Sequence, residues 1–320
     1  MSQSVFLTGA TGFVGNAVML RLMLDGASVK ASVRSGSDLS EDGVHTVGFE
    51  SFEQTEWRQH LTGVDAVIHC ASRVHVMNDT ETDPLAAFRK VNVDGTLHLA
   101  RQAAEAGVRR FIFISSIKVN GEGTQLGKPY TADSRPDPRD PYGVSKMEAE
   151  QGLRELASQA AMEVVIIRPV LIYGPGVKAN FLNMMRWLDK GIPLPFGSIH
   201  NSRSLVALDN LVDLIITTLA HPQAANQTFL VSDGEDLSTT QLLRRMAMSL
   251  GTSARLLPVP AWVLTTVANT LGKRSLSQRL CGSLTVDIGK TRSLLQWAPP
   301  VAVDNALDAT AKHFMEHEKR

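Results

Sequence analysis

The run Ser4-Val5-Phe6-Leu7-Thr8 leads directly into Gly9-Ala10-Thr11-Gly12-Phe13-Val14-Gly15, and then into a helical stretch from Asn16 to Asp25 closed by Gly26. No other feature narrows the fold as far. A short buried strand, a turn with glycines at three-residue spacing and a helix form the first half of a βαβ unit of the nucleotide-binding kind. Gly9 permits the tight turn, Gly12 lets the backbone approach a pyrophosphate, and Gly15 lets the helix pack closely on the strand. The free N–H groups and dipole at the helix start favour phosphate. Thr11, Phe13 and Val14 therefore join the three glycines as candidate cofactor contacts.

The next strand, Ser28 to Arg34, ends where an acidic residue would grip the ribose 2′-hydroxyl of NAD. Val33 stands there instead, followed by Arg34, with Ser35 and Ser37 beyond. A cation with hydroxyls suits a 2′-phosphate, so NADP(H) is the favoured cofactor and NAD the alternative.

Strands and helices alternate through the first half of the chain, which predicts an α/β fold with a doubly wound parallel sheet. After 28–34 come a strand at 44–49, a helical piece at 57–61, a buried strand at 66–71 and a long helix from Pro84 to Gly107. A strand at 110–114, a helix from Tyr142 to about Ser158 and a strand at 164–169 follow. Beyond Tyr173 the pattern breaks at Gly174-Pro175-Gly176. Residues 1–174 with about 205–234 are assigned to the nucleotide-binding domain, about 175–204 and 235–303 to a smaller, mostly helical lobe, and 304–320 to a C-terminal helix. The crevice between the two, at the carboxyl ends of the strands, is the expected ligand site.

With 320 residues the chain can bury one large α/β domain and an appendage. Its 32 basic and 32 acidic residues cancel, so no field favours nucleic acid or an anionic membrane. Cys70 and Cys281 give neither a disulfide framework nor metal-ligand spacing. His69, His75 and His98 are not arranged as metal ligands, and no metal is expected. The start lacks a signal-peptide pattern, and no apolar stretch reaches the roughly 18 residues needed to span a bilayer. The nearest, Pro258 to Gly272, reads as a helix of the second lobe. The expected compartment is the cytoplasm, with no integral membrane segment.

Tyr142 and Lys146 stand four apart in Pro141-Tyr142-Gly143-Val144-Ser145-Lys146, downstream of Ser115-Ser116. Residues four apart share one helix face, so Lys146 can lie beside Tyr142 and favour its phenolate. Free tyrosine titrates at about 10, so work near neutrality needs such help. A carbonyl oxygen held by Ser116 and Tyr142 would accept hydride more readily, with Tyr142 supplying the proton.

With Gly9-x-x-Gly12-x-x-Gly15, Asn92-Val93-Asp94-Gly95-Thr96, Ser115-Ser116, Tyr142-x-x-x-Lys146 and Arg168-Pro169 in order, the chain resembles the extended short-chain dehydrogenases/reductases. More closely it resembles their nucleotide-sugar epimerase/dehydratase branch. The resemblance implies a Rossmann domain and the catalytic set Ser116, Tyr142 and Lys146, with Lys146 also holding the nicotinamide ribose. It places Cys70, Ala71, Ser72, Asn92, Arg168 and Pro169 near the cofactor. On the substrate side it implies Asn180 and Phe181 after Tyr173-Gly174-Pro175-Gly176, and Arg203 and Arg279 for the diphosphate of a UDP-sugar. An arginine's planar fork can bond two phosphate oxygens at once. His75 follows the cofactor strand and is a candidate for the sugar pocket. Lys118, in the place after the serine where an acid pair would mark a dehydratase, either touches the sugar or points to solvent. The helices Pro84–Ala106 and Tyr142–Ser158 resemble those that build a homodimer interface in the family.

The first functional expectation is reduction by NADPH of the C4 keto group of a UDP-4-keto-6-deoxy-N-acetylhexosamine, for surface polysaccharide such as O-antigen. It rests on Arg34, because a net reduction draws on a dissociable reduced cofactor, and on the likeness of Ser115–Gly121 and Tyr173–Phe181 to bacterial proteins of that step. The alternative is a UDP-hexose 4-epimerase acting on UDP-glucose or its N-acetyl counterpart with bound NAD. A third reading, a non-catalytic NADP-sensing module, conflicts with the intact Ser116, Tyr142 and Lys146.

Overall fold

A computed structural model describes residues 3–35, 39, 41–74, 83–270, 278 and 280–318. His75, Arg279 and Ser37 lie outside the described residues. Seven strands form one parallel sheet: β1 (Ser4–Thr8), β2 (Ser28–Arg34), β3 (Val44–Phe49), β4 (Ala66–His69), β5 (Arg110–Ile114), β6 (Glu163–Pro169) and, after two short strands of the second lobe, β9 (Thr228–Val231). Their order is β3-β2-β1-β4-β5-β6-β9. Phe111 to Ile114 and Val164 to Ile167 are buried without a break, as strands covered on both faces must be.

One face packs Val18, Met19 and Leu22 of α1 (Phe13–Leu24) beside Leu211, Leu214 and Ile215 of α7 (Leu208–Ala220). The opposite face packs Leu99, Ala100 and Ala103 of α4 (Thr96–Glu105) with Ala149 and Leu153 of α5 (Pro141–Gln159). The fold is thus doubly wound. The strand order reverses between β1 and β4, which puts the expected crevice at their carboxyl ends, beside Gly9 and Cys70.

The helix expected as one piece from Pro84 is divided. It runs as α3 (Pro84–Arg89), a π-helical turn at Lys90–Gly95, and then α4. The wide turn presents buried Asn92 to the loop after β4, a common use of π-turns at functional sites.

The second lobe has its own three-stranded sheet, ordered β10 (Asp236–Leu237), β8 (Arg203–Ala207) and β7 (Leu171–Tyr173). The block 205–234 therefore divides: β8 joins the lobe sheet, whereas α7 and β9 return to the large domain. The C-terminal helix Val303–His317 packs Leu307, Ala311 and Phe314 into the lobe core beside α6 (Ala179–Asp189) and α8 (Thr239–Ser249). Helix α9 (Ala261–Thr270) presents no buried side chain. Among the described residues no helix is long and apolar enough to cross a membrane.

Candidate active site

At the crevice the glycine turn has the form that its spacing implies. Gly9 has a φ of +74°, and a Cβ there would lie 2.7 Å from the Ala71 amide nitrogen. Gly9 is thus required both by conformation and by the approach of the segment after β4. A Cβ on Gly15 would lie 2.6 Å from the Gly9 carbonyl carbon, so this glycine packs the first turn of α1 onto the loop itself. Gly12 is the N-cap of α1 and no side chain caps it, leaving first-turn N–H groups open to a ligand. That is the donor set a dinucleotide's diphosphate fits. Thr11 and Gly12 are exposed, Phe13 and Val14 half-buried, and Arg34 stands exposed at the end of β2.

Below this cradle, Thr8 Oγ1 accepts from the Ala71 amide at 3.1 Å and meets His69 Nδ1 at 2.8 Å. His69 Nε2 meets Thr96 Oγ1 at 2.9 Å. His98 Nε2 faces the Thr55 carbonyl oxygen at 3.0 Å. Both histidines therefore serve hydrogen-bonding and packing.

The three residues expected to be catalytic, Ser116, Tyr142 and Lys146, lie close together. Ser116 ends the segment after β5 and caps the 3₁₀ turn Ile117–Val119, while Tyr142 is the second residue of α5. The Tyr142 phenol is hydrogen-bonded with the hydroxyls of Ser72 and Ser116. Burial pushes it up to about 12, Asp140 adds to the rise, and the two serines oppose it. Lys146 is 1 % exposed; its Nζ donates to the Ile114 carbonyl at 2.8 Å and lies 4.4 Å above the Phe113 ring. The amine is 6.0 Å from the Tyr142 ring centroid, and burial pushes it down to about 7 against the opposing pull of Cys70 and Glu150. Lys146 thus lies beside Tyr142, as their four-residue spacing implies, while burial of the phenol works against its ionisation. Cys70 faces the same pocket, with its thiol pushed up to about 12 by burial.

Several residues expected at the cofactor are engaged elsewhere. Asn92 accepts from the Arg73 amide at 2.8 Å and donates to Ser145 Oγ at 3.0 Å, so its amide clamps the loop after β4 onto α5. Arg168 is 2 % exposed and donates to Glu150 at 2.8 and 2.5 Å and to Asn120 at 3.0 Å. Its guanidinium braces the catalytic elements from behind, and adjacent Pro169 is buried with it. Ser72 turns to the Tyr142 phenol and to Asn92 Oδ1, bridging the cofactor and catalytic sides.

On the substrate side, Asn180 is exposed at the start of α6. Phe181 is not available: it is 2 % exposed and stacked on Tyr173 at 5.3 Å in the lobe core, because it falls on the apolar face shared with Met184, Met185 and Leu188. Arg203 opens β8 half-buried, with Nη1 donating to the Gly282 carbonyl at 3.1 Å. The same carbonyl accepts from Asn201, which lines a cavity of about 490 Å³ with Ser198, His200, Trp262, Cys281 and Ser283. The Lys118 ammonium is ion-paired with Asp140. Sequence reading missed Asp140 and Glu150, although both carry signals. Asp140 precedes a proline at a helix start, and Glu150 lies four residues after Lys146 on the same face.

Comparison with known proteins bears on the reaction. The NAD dependent epimerase/dehydratase family profile matches residues 5–232. The UDP-glucose 4-epimerase of Vibrio cholerae is 48 % identical over 322 residues, covering 100 % of this chain and 98 % of that protein. In fold, the chain matches the UDP-glucose 4-epimerase of Thermotoga maritima, solved with UDP-glucose, at a TM-score of 0.79 with 21 % identity, covering 98 % and 99 % of the two chains. It also matches the UDP-glucuronic acid 4-epimerase of Bacillus cereus, solved with NAD, at 0.78 with 18 % identity, covering 98 % and 99 %. The Vibrio relative overturns the expected C4 ketoreductase. That expectation took a cofactor-phosphate contact, Arg34, as evidence for the direction of net redox change, which such a contact does not determine. With the profile spanning most of its length and a relative aligned from end to end, the chain belongs to the NAD dependent epimerase/dehydratase family.

Proposed function

We propose that this protein is a UDP-hexose 4-epimerase that keeps NAD as a resident cofactor. The observation that carries the reading is the 48 % identity, along the whole chain, to a protein named UDP-glucose 4-epimerase. The cofactor assignment is supported by the uncapped α1 terminus and by a fold neighbour that holds NAD. The Gly9–Gly15 turn with the first N–H groups of α1 holds the diphosphate, and Lys146 the nicotinamide ribose. Bound NAD supplies the hydride acceptor and adds positive charge to the site.

Tyr142 takes the proton from the C4 hydroxyl of the sugar and later restores it. Ser116 hydrogen-bonds the same oxygen throughout, while Lys146 contributes charge at the base of the pocket. Arg203, at the border of the second-lobe cavity, meets the diphosphate of the UDP group, and Asn180 meets the nucleotide. The exposed sides of α3–α4 and α5 pair two copies into a homodimer, which light scattering reads directly as twice the chain mass.

Purified protein given UDP-glucose, with no added dinucleotide, should form UDP-galactose, and the reverse reaction should reach the same ratio. Denaturation should release about one NAD per chain. Tyr142→Phe should lower kcat by roughly 10²–10⁴-fold. Failure to interconvert any UDP-hexose in either direction would overturn the assignment.

A further inference from the structure

Lys118 lies two residues after Ser116, on the 3₁₀ turn packed against the start of α5. Gly143 makes this approach feasible, since a Cβ there would stand 2.9 Å from the Lys118 carbonyl oxygen. The Lys118 ammonium pairs with Asp140 Oδ2 and sits 6.0 Å from the Tyr142 ring centroid. The other carboxylate oxygen of Asp140 accepts from the Gly143 amide at 2.7 Å and so caps α5.

One carboxylate thus carries two conflicting demands. A negative N-cap stabilises the helix that presents Tyr142. The same charge two residues from the phenol opposes its ionisation. Asparagine caps a helix about as well without the charge, so Asp140 brings an electrostatic burden that capping does not require. The described groups around the phenol are Asp140 at the helix start, Lys118 from the turn, Lys146 from the next turn of α5, the Ser72 and Ser116 hydroxyls, and the Phe88 edge at 5.9 Å. Glu122 approaches Lys118 at 3.9 Å.

We propose that Lys118 is a positioning residue that masks the Asp140 carboxylate from the Tyr142 phenol and so keeps Tyr142 able to give up its proton. The inference rests on Tyr142 being the acid/base of the proposed epimerisation. It adds a role for a lysine that stands where an acid pair would mark a dehydratase. The exchange moves one proton between the phenol oxygen and the sugar C4 oxygen; the accompanying two-electron change at C4 would be taken up by the NAD of the proposed function.

The test compares pH profiles of kcat for the NAD-loaded enzyme and for Lys118→Met, Lys118→Arg, Asp140→Asn and the Lys118→Met/Asp140→Asn pair. Phenolate is the proton-accepting form, so a raised phenol pKa moves the rising limb to higher pH. Lys118→Met should move that limb up by about one pH unit, a tenfold loss on its acid side. Lys118→Arg should leave the limb in place, and the double variant should return it. A limb that stays put in Lys118→Met, or stays displaced in the double variant, overturns the proposal.

Tyrosinate absorbance gives the same comparison without turnover. The chain has three tyrosines, and Tyr142→Phe identifies the relevant one by difference. A displaced phenol titration in Lys118→Met that Asp140→Asn reverses supports the mask even where UDP-hexoses are not converted. An unmoved titration overturns it whatever the substrate.

Discussion

At the scale of single residues, His69 shows how the cradle is held from beneath. Its ring stacks on Phe113 at 5.9 Å, meets the edge of Phe52 at 5.6 Å, and has both nitrogens bonded to threonine hydroxyls from β1 and α4. Burial, with Lys146 adding to the effect, pushes its pKa down to about 3. The ring therefore stays neutral in the folded protein at pH values where an unfolded chain, with a histidine pKa of about 6.5, takes up a proton. Between those values the unfolded state binds more protons, so stability increases with pH; it is complete above about 6.5 and lost progressively as pH falls toward 3. At pH 5 the loss from this one group is about 2 kcal/mol. Unfolding free energies from urea titrations at pH 7 and pH 5 should separate by that amount more in the wild type than in His69→Gln. Equal separations would show that His69 is not the group responsible.

At the scale of elements, a buried ionic knot joins the pieces that carry Ser116, Tyr142 and Lys146. Glu150 of α5 is fully buried and accepts from Ser115 Oγ at 2.6 Å, from Arg168 of β6 and from Arg154 at 2.9 Å. Arg168 in turn reaches Asn120, just beyond the 3₁₀ turn that Ser116 caps. Lys146 is one helical turn before Glu150 and Ser116 is next to Ser115, so the knot fixes both relative to β5 and β6. Arg168→Met leaves the Glu150 charge in the interior with reduced compensation, a loss of roughly 3–5 kcal/mol. Thermal unfolding followed by circular dichroism should show a midpoint lower by about 10 °C. Adding Glu150→Gln should recover part of that drop; a double variant no better than Arg168→Met would exclude an uncompensated charge as the cause. Such cross-element contacts mark the boundary of what sequence reading reaches here. The Gly9–Gly15 turn and the Tyr142–Lys146 pair are legible because their constraints close within one turn or one helix face. The directions taken by Arg168, Asn92 and Phe181 are not, since their partners come from elements 18 to 53 residues away or from a lobe core whose packing no local spacing encodes.

At the scale of the whole molecule, the two lobes are stapled by a half-buried polar hub at Asp233, just beyond β9. Tyr173 of β7 donates its hydroxyl to Asp233 at 2.9 Å, and the Ala207 amide at the end of β8 donates at 2.7 Å. Asn210 of α7 donates to the same carboxylate at 2.7 Å and exchanges two bonds with Val301, at 2.8 Å each. One side chain thus gathers the edge of the seven-stranded sheet, the lobe sheet and the segment that enters the C-terminal helix. In the proposed function the nucleotide sugar sits between the same two bodies, so the hub would set how Arg203 and Asn180 stand relative to Tyr142. Asp233→Ala removes the acceptor and leaves three buried donors to find new partners, at about 1–3 kcal/mol for each that fails. The larger consequence is functional. Loosening one lobe against the other weakens substrate contacts made from the second lobe while leaving the Ser116–Tyr142–Lys146 geometry of the first lobe intact. KM for UDP-glucose should therefore rise by about tenfold, with kcat changed by no more than about threefold, as expected when binding shared by ground and transition states is lost. Tyr173→Phe keeps the ring stack on Phe181 and removes a single donor, so it should fall between the wild type and Asp233→Ala in both KM and thermal midpoint. A variant in which kcat collapses and KM holds would mean that the hub supports the catalytic groups themselves rather than the seating of the lobe.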